Sequence, residues 1–171
     1  GRHLECSHGA LYRHVGDLDS MLHLAVTRAI VRFEWPVLVD EWREVVWNEV
    51  RAWWSFCEQH PGFVTVLASG PGMPSPMSQR SVAVAVHLNR LGVSGDDALL
   101  IIDIVMDMVH DTFHRSGQRR AVIDRALTMS AAELDAHVAS VPDDMLETMA
   151  STLIDDPWPW LERKLQLLMN G

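Results

Sequence analysis

The stretch "LVDEWREVVWNEVRAWWSFCEQ", residues 38–59, constrains the fold more than any other part of the chain. At about 100° per residue, Glu41, Glu44, Asn48, Arg51, Ser55 and Glu58 fall on one side of a helix. Trp42, Val46, Trp53 and Cys57 fall on the other. A pattern of this length needs a partner surface for its apolar side. The rest of the chain offers only more helices, because alternating β-branched runs bounded by turn residues do not occur. The ambiguous piece "SVAVAVHL" (81–88) has helical flanks and is read as helix. The fold class is all-α.

Turn chemistry divides the chain. Ser7 caps a short helix over 8–14, broken at Gly16, and Asp17 caps the next, to about Phe33, with Pro36 as the stop. Helix 38–59 ends at "HPG" (60–62), and 61–69 suits a short helix. A loop at 69–76, "SGPGMPSP", precedes helices at about 77–91 and 96–115, the first stopped near Gly92 and the second closed at Gly117. Shorter helices follow at about 119–127, 130–140, 142–154 and 159–169.

The chain has 171 residues, 48% of them hydrophobic, and its net charge is −9. Such a composition supports a sizeable core and argues against disorder. The first 35 residues are charge-neutral, with four arginines against four acids, so the acidic excess lies beyond them. An acidic body repels phosphate; any nucleic-acid contact therefore falls to the N-terminal segment. Two cysteines without a CxxC spacing, no apolar run of membrane-spanning length and no signal-peptide pattern point to a reduced, cytoplasmic protein.

In "SHGALYRHVGDLDSML" (7–22), Leu11 and Val15 anchor a short helix inward. His8, Gly9, Tyr12, Arg13 and His14 then lie largely outward. That set suits a helix laid against a groove of DNA with Ser7 near phosphate, and equally an ordinary polar surface helix. The run "CSHGALYRHVGDLDSML" resembles the DNA-binding signature of the tetracycline-repressor (TetR) family, approximately G-V-S-x-G-x-L-Y-x-H-F-x-x-K-x-x-L. Ser7, Gly9, Leu11, Tyr12, His14 and Leu22 fit it, and Val15 replaces Phe. "WLERKLQLLMNG" (160–171) is similar to the closing helix of the family.

The resemblance implies that Ser7 and His14 meet phosphate, His8 and Ala10 face bases, and Tyr12 meets backbone or a thymine methyl. With Gly9 and Arg13 these form the expected DNA-binding set. Glu5, Cys6 and Leu18 depart from the pattern, where Gly, Val and a phosphate-contacting Lys are usual. The family also has a first helix and most of a second before this point, so the expectation is a chain lacking its first helices, with a partial helix-turn-helix head and connecting helix over 1–33. An effector-binding and dimerisation domain then covers 37–171.

In that domain Glu49 sits among Val45, Trp53 and Phe56 on a mostly apolar face. It is either a flank carboxylate paired with an arginine or a polar anchor in an aromatic-lined cavity. Trp42 and Trp53 are core residues or cavity walls. Asp103, Asp107, His110, Asp111 and His114 make one polar stripe on helix 96–115. The expected effector set is Trp42, Glu49, Trp53, Phe56, His87, Asp103, Asp107 and His110. His110 and His114 have a metal-compatible spacing, but no third ligand is fixed and no metal or cofactor is expected. Helices 96–115 and 159–169 are the expected homodimer face. No GxSxG, phosphate-binding Gly loop or HExxH is present, so no enzyme is expected.

The resemblance implies a TetR-like regulator of the repressor type, whose operator affinity is set by a small, largely apolar effector. The alternatives are an all-α small-molecule-binding or dimerisation module with no DNA role, and a metal-dependent enzyme using Asp103, Asp107, His110 and His114.

Overall fold

A computed structural model describes residues 17–69, 73–154 and 156–170. Among them every regular element is helical: α1 (Leu18–Arg32), α2 (Trp42–Gln59), α3 (Phe63–Ser69), α4 (Ser75–Arg90), α5 (Gly95–Leu127), α6 (Ala131–Val138), α7 (Asp143–Ile154) and α8 (Trp158–Asn170). The "SVAVAVHL" run lies within α4. The chain divides into two compact units, Gly1–Met106 and Asp107–Gly171.

Local chemistry sets the ends of α1 and α2. The Asp17 side chain accepts from Ser20 N at 2.7 Å, which caps α1. Phe33 is already extended, and Pro36 disfavours helix at Trp35 before it. The sequence pattern suggests a second helix from residue 38, but α2 starts at Trp42. Glu41 is the reason: its carboxylate accepts from the N–H groups of Arg43 and Glu44, satisfying two free donors of the first turn. Residues 33–41 are left as an extended connector.

In the first unit, α1 packs on α3 and α4, and α2 on α4. The core holds Ile30, Val45, Val50, Trp53, Phe56, Phe63, Met77, Val84 and Leu88. Gly92 stops α4 at a φ of +96°, a left-handed conformation that glycine adopts without a side-chain clash. In the second unit, Leu161 and Leu165 of α8 are buried, and Lys164 Nζ donates to Thr112 Oγ1 of α5 at 3.1 Å. Leu168, Leu167 and Trp160 of α8 are exposed.

The separate helices expected at 96–115 and 119–127 are one helix, α5. Gly117 does not break it, because an interior glycine costs a helix only about 1 kcal/mol, less than neighbouring turns contribute. Gly92 and Gly117 therefore respond oppositely to alanine. Gly92→Ala lowers stability by about 1 kcal/mol through its positive φ. Gly117→Ala, where a Cβ meets nothing within 4 Å, raises it by roughly 0.5–1 kcal/mol. Denaturant melts of the two variants check both signs.

Candidate functional site

The connector 33–41 has backbone carbonyls with no helix or sheet to bond them. Two side chains of α4 serve two of them. Arg80 Nη2 donates to Pro36 O at 2.8 Å, and His87 Nε2 lies 2.8 Å from Val39 O. The match follows from geometry. Arg80 and His87 stand about two helical turns apart, near 10.5 Å of rise. Pro36 and Val39 span three extended steps, about 10 Å. The connector thus runs alongside α4 in the same direction.

Arg80 also meets Glu49. Its Nε donates to Glu49 Oε2 at 3.3 Å and its Nη2 to Glu49 Oε1. The Glu49 side chain is 3% exposed and that of Arg80 17%. Burial pushes the Glu49 carboxyl above its ordinary range, while the Arg80 guanidinium pulls it back. One guanidinium thereby links α2, α4 and the connector.

Aromatic rings fill the space beside this pair. Trp35 lies 4.4 Å from Trp53, centroid to centroid, and donates its indole N–H to Ile30 O at 3.0 Å. Phe33 meets Trp35 at 4.7 Å and Phe56 at 5.3 Å, both edge-to-face. Phe56 in turn meets Phe63 at 4.9 Å and His60 at 4.7 Å. Such spacings are those of favourable quadrupole contacts.

On the far side of Phe56 a groove of about 380 Å³ opens. Leu22, Ala25, Val26 and Ala29, one stripe of α1, line it. Opposite them stand Phe56, Gln59 and His60 at the end of α2, then Pro61, Gly62, Phe63 and Val66. No described lining residue is an acid, lysine or arginine.

The expected effector residues are distributed differently from one another. Phe56 lines the groove, and Trp53 meets its ring edge-to-face at 5.9 Å in the ring cluster. Glu49 is paired with Arg80, the first of the two readings its position left open. His87 bonds the connector. Trp42 opens α2 with the Arg43 guanidinium 4.3 Å above its ring. Asp103 and Asp107 are exposed on α5, and His110 is half-buried in the second unit. The DNA-facing set, Ser7, His8, Gly9, Ala10, Tyr12, Arg13 and His14, lies outside the described residues. Among the described residues no group of three or more His, Cys, Asp or Glu gathers as a metal site. His114 Nε2 accepts from Gln118 Nε2 at 2.9 Å. Burial beside Glu58 pushes the Cys57 thiol up to about 12, so it is no thiolate at neutral pH.

Arg80 and Trp35 do not stand out in the sequence, and Pro36 and His60 stand out only as helix stops. The one further signal is the two-turn spacing of Arg80 and His87 on either side of "SVAVAV".

No protein-family model matches the sequence, and no curated protein matches it. Among solved structures, the chain is similar to the crystal structure of apo ActR from Streptomyces coelicolor, with a TM-score of 0.69. The likeness covers 99% of this chain and 82% of that one, at 18% identity. The fold is TetR-like. At that identity the likeness concerns the fold alone. Among the described residues no helix is long and apolar enough to cross a membrane.

Two predictions follow from the buried groups. Arg80→Met strands a buried carboxylate and lowers stability by about 3 kcal/mol; Glu49→Leu costs less, because Arg80 keeps the Pro36 carbonyl and some solvent. The double variant recovers most of the loss, which a double-mutant cycle by chemical denaturation measures.

For His110, burial lowers the pKa below its ordinary 6.5, with Asp107 opposing. A lowered histidine contributes stability that is full above the unfolded pKa and lost as pH falls through the folded one. The raised Glu49 has the opposite sign, so the comparison must be with a variant. Wild type loses stability more steeply than His110→Gln as pH falls below about 6.5, read from melts across that range.

Proposed function

We propose that this chain is a TetR-type transcription regulator and not an enzyme. Its head, residues 1–33, reads operator DNA through Ser7, His8, Gly9, Ala10, Tyr12, Arg13 and His14. Its body, 37–171, binds a small, largely apolar effector and forms a homodimer. The protein works in the cytoplasm.

One observation carries the reading. α1 follows directly in the chain from the "SHGALYRHV" run, and it is also one wall of the groove. Any change in how α1 lies against α2 and α3 reaches the segment that resembles a recognition helix. The TetR-like fold supports the same assignment. Phe56 contacts the effector, while Trp53, Glu49 and His87 act behind it, through the ring cluster and the connector. Exposed Trp160, Leu167 and Leu168 on α8 supply apolar surface for a second copy. A symmetric dimer then presents two heads to two half-sites about one DNA turn apart.

Control requires a difference in effector affinity between two arrangements of α1, not tight binding alone. The acidic body leaves the head to supply the phosphate contacts, so binding is sensitive to salt.

The test is binding of the full gene product to the DNA around its own gene, titrated at two salt concentrations. Tyr12→Ala weakens specific binding by about tenfold or more, and Arg13→Ala reduces the salt slope by about 1. Absence of specific binding in the unaltered protein sinks the regulator reading and favours an all-α binding or dimerisation module.

A further inference from the structure

We propose that the outward face of α1 docks on the outward face of α5 in a second copy of this chain. The contact joins two different surfaces and is separate from the α8 face offered above for the homodimer. It does not depend on what the chain reads or binds.

Two exposed stripes carry it. On α1, Leu24, Arg28, Val31 and Arg32 fall within about 100° of one another, and all four are exposed. They point away from buried Ile30 and from the groove residues of the same helix. On α5, Leu99, Leu100, Asp103 and Asp107 fall within an arc of the same width, and all four are exposed. Leu24, Val31, Leu99 and Leu100 are each more than half exposed. No ion pair to another described residue engages the two arginines or the two aspartates. α1 thus offers apolar and basic groups, and α5 offers apolar and acidic ones.

Spacing sets the register. Leu24, Arg28 and Arg32 stand at intervals of four residues, and so do Leu99, Asp103 and Asp107. Each interval rises about 6 Å along a helix. Laid side by side in the same direction, the helices put Leu24 on Leu99, Arg28 on Asp103 and Arg32 on Asp107. The opposite direction pairs the charges only by setting Leu24 against Asp111, and it leaves Leu99 beyond the end of α1. Exposed ion pairs contribute little, so covering the apolar side chains holds the contact. The charges choose the register and the partner.

Charge also favours a second copy over DNA on this stripe. Phosphate would leave Leu24 and Val31 in water, and exposed Asp17, Asp19 and Glu34 flank the arginines. The net charge of −9 opposes random association of copies, so an acidic stripe is accepted only where a basic one matches it.

The test is sedimentation velocity of the full chain over a range of concentrations, with association read as a rise in average mass. The wild type associates. Arg28→Glu with Arg32→Glu weakens association by at least about tenfold, and so does Asp103→Lys with Asp107→Lys. The second pair makes the chain less acidic, so general repulsion between copies would move it the other way. All four substitutions in one chain exchange the charges and bring association back to within about threefold of the wild type. An equimolar mixture of the two double variants does the same. Should a reversed pair fail to fold, Arg28→Gln with Arg32→Gln, or Asp103→Asn with Asp107→Asn, serves in its place with a smaller loss of the same sign.

A wild-type mass that does not rise with concentration overturns the proposal. Undiminished association of the aspartate variant overturns it, as does failure of both the fourfold variant and the mixture to recover. An arginine variant that associates like the wild type but binds DNA more weakly also overturns it, by showing phosphate as the occupant.

Discussion

The Arg80 guanidinium is the point on which the first unit depends. Standing on α4, it touches α2 through Glu49 and the connector through Pro36. A buried ion pair is weak evidence for net stability, because desolvation of both groups offsets most of their attraction. What such a pair supplies is position. The guanidinium presents its donors in a fixed fork, so satisfying Glu49 and Pro36 together fixes the connector relative to α2 and α4. Trp35, with the Arg80 guanidinium 5.9 Å from its ring centroid, is held in turn, and its indole reaches back to the last turn of α1.

That arrangement makes the connector stiff where one would expect slack. Nine residues without helix or sheet would ordinarily let two helices swing freely. Here the carbonyls of Pro36 and Val39 are taken by α4, and Phe33 and Trp35 are built into the ring cluster. α1 therefore meets the body as a rigid rod on a fixed mount. Motion at one end of such a rod is transmitted, whereas motion into a loose linker is absorbed.

Much of this fold was legible in the sequence because its determinants are local. Asp17 three residues before Ser20, Pro36 after an apolar run, and Gly92 after Arg90 each act within one turn of chain. Glu41 is equally local, but the helical period places it on the polar face of α2, whereas its carboxylate caps the first turn, so α2 starts four residues after position 38. Gly117 has the propensity of a stop, but in a helix as long as α5 one glycine is outvoted. The site was less legible for a different reason. Glu49 and Arg80 are 31 residues apart, and His87 and Val39 are 48 apart. Periodicity shows which face a residue occupies, not which helix arrives opposite it. The composition of a pair of faces is local information, but their pairing is not.

The same distinction separates the acidic charge of the chain from the way α1 is mounted. Charge is a sum over the surface and says where phosphate is unwelcome. It does not say how α1 is held. The mount does, and it is built from groups whose charge is cancelled internally: a carboxylate met by a guanidinium, carbonyls met by donors, rings met by rings. An internally neutral mount adds little field of its own beside α1. What such a mount sets is the angle of α1, which short-range hydrogen bonds and ring contacts fix and the charge of the surface does not.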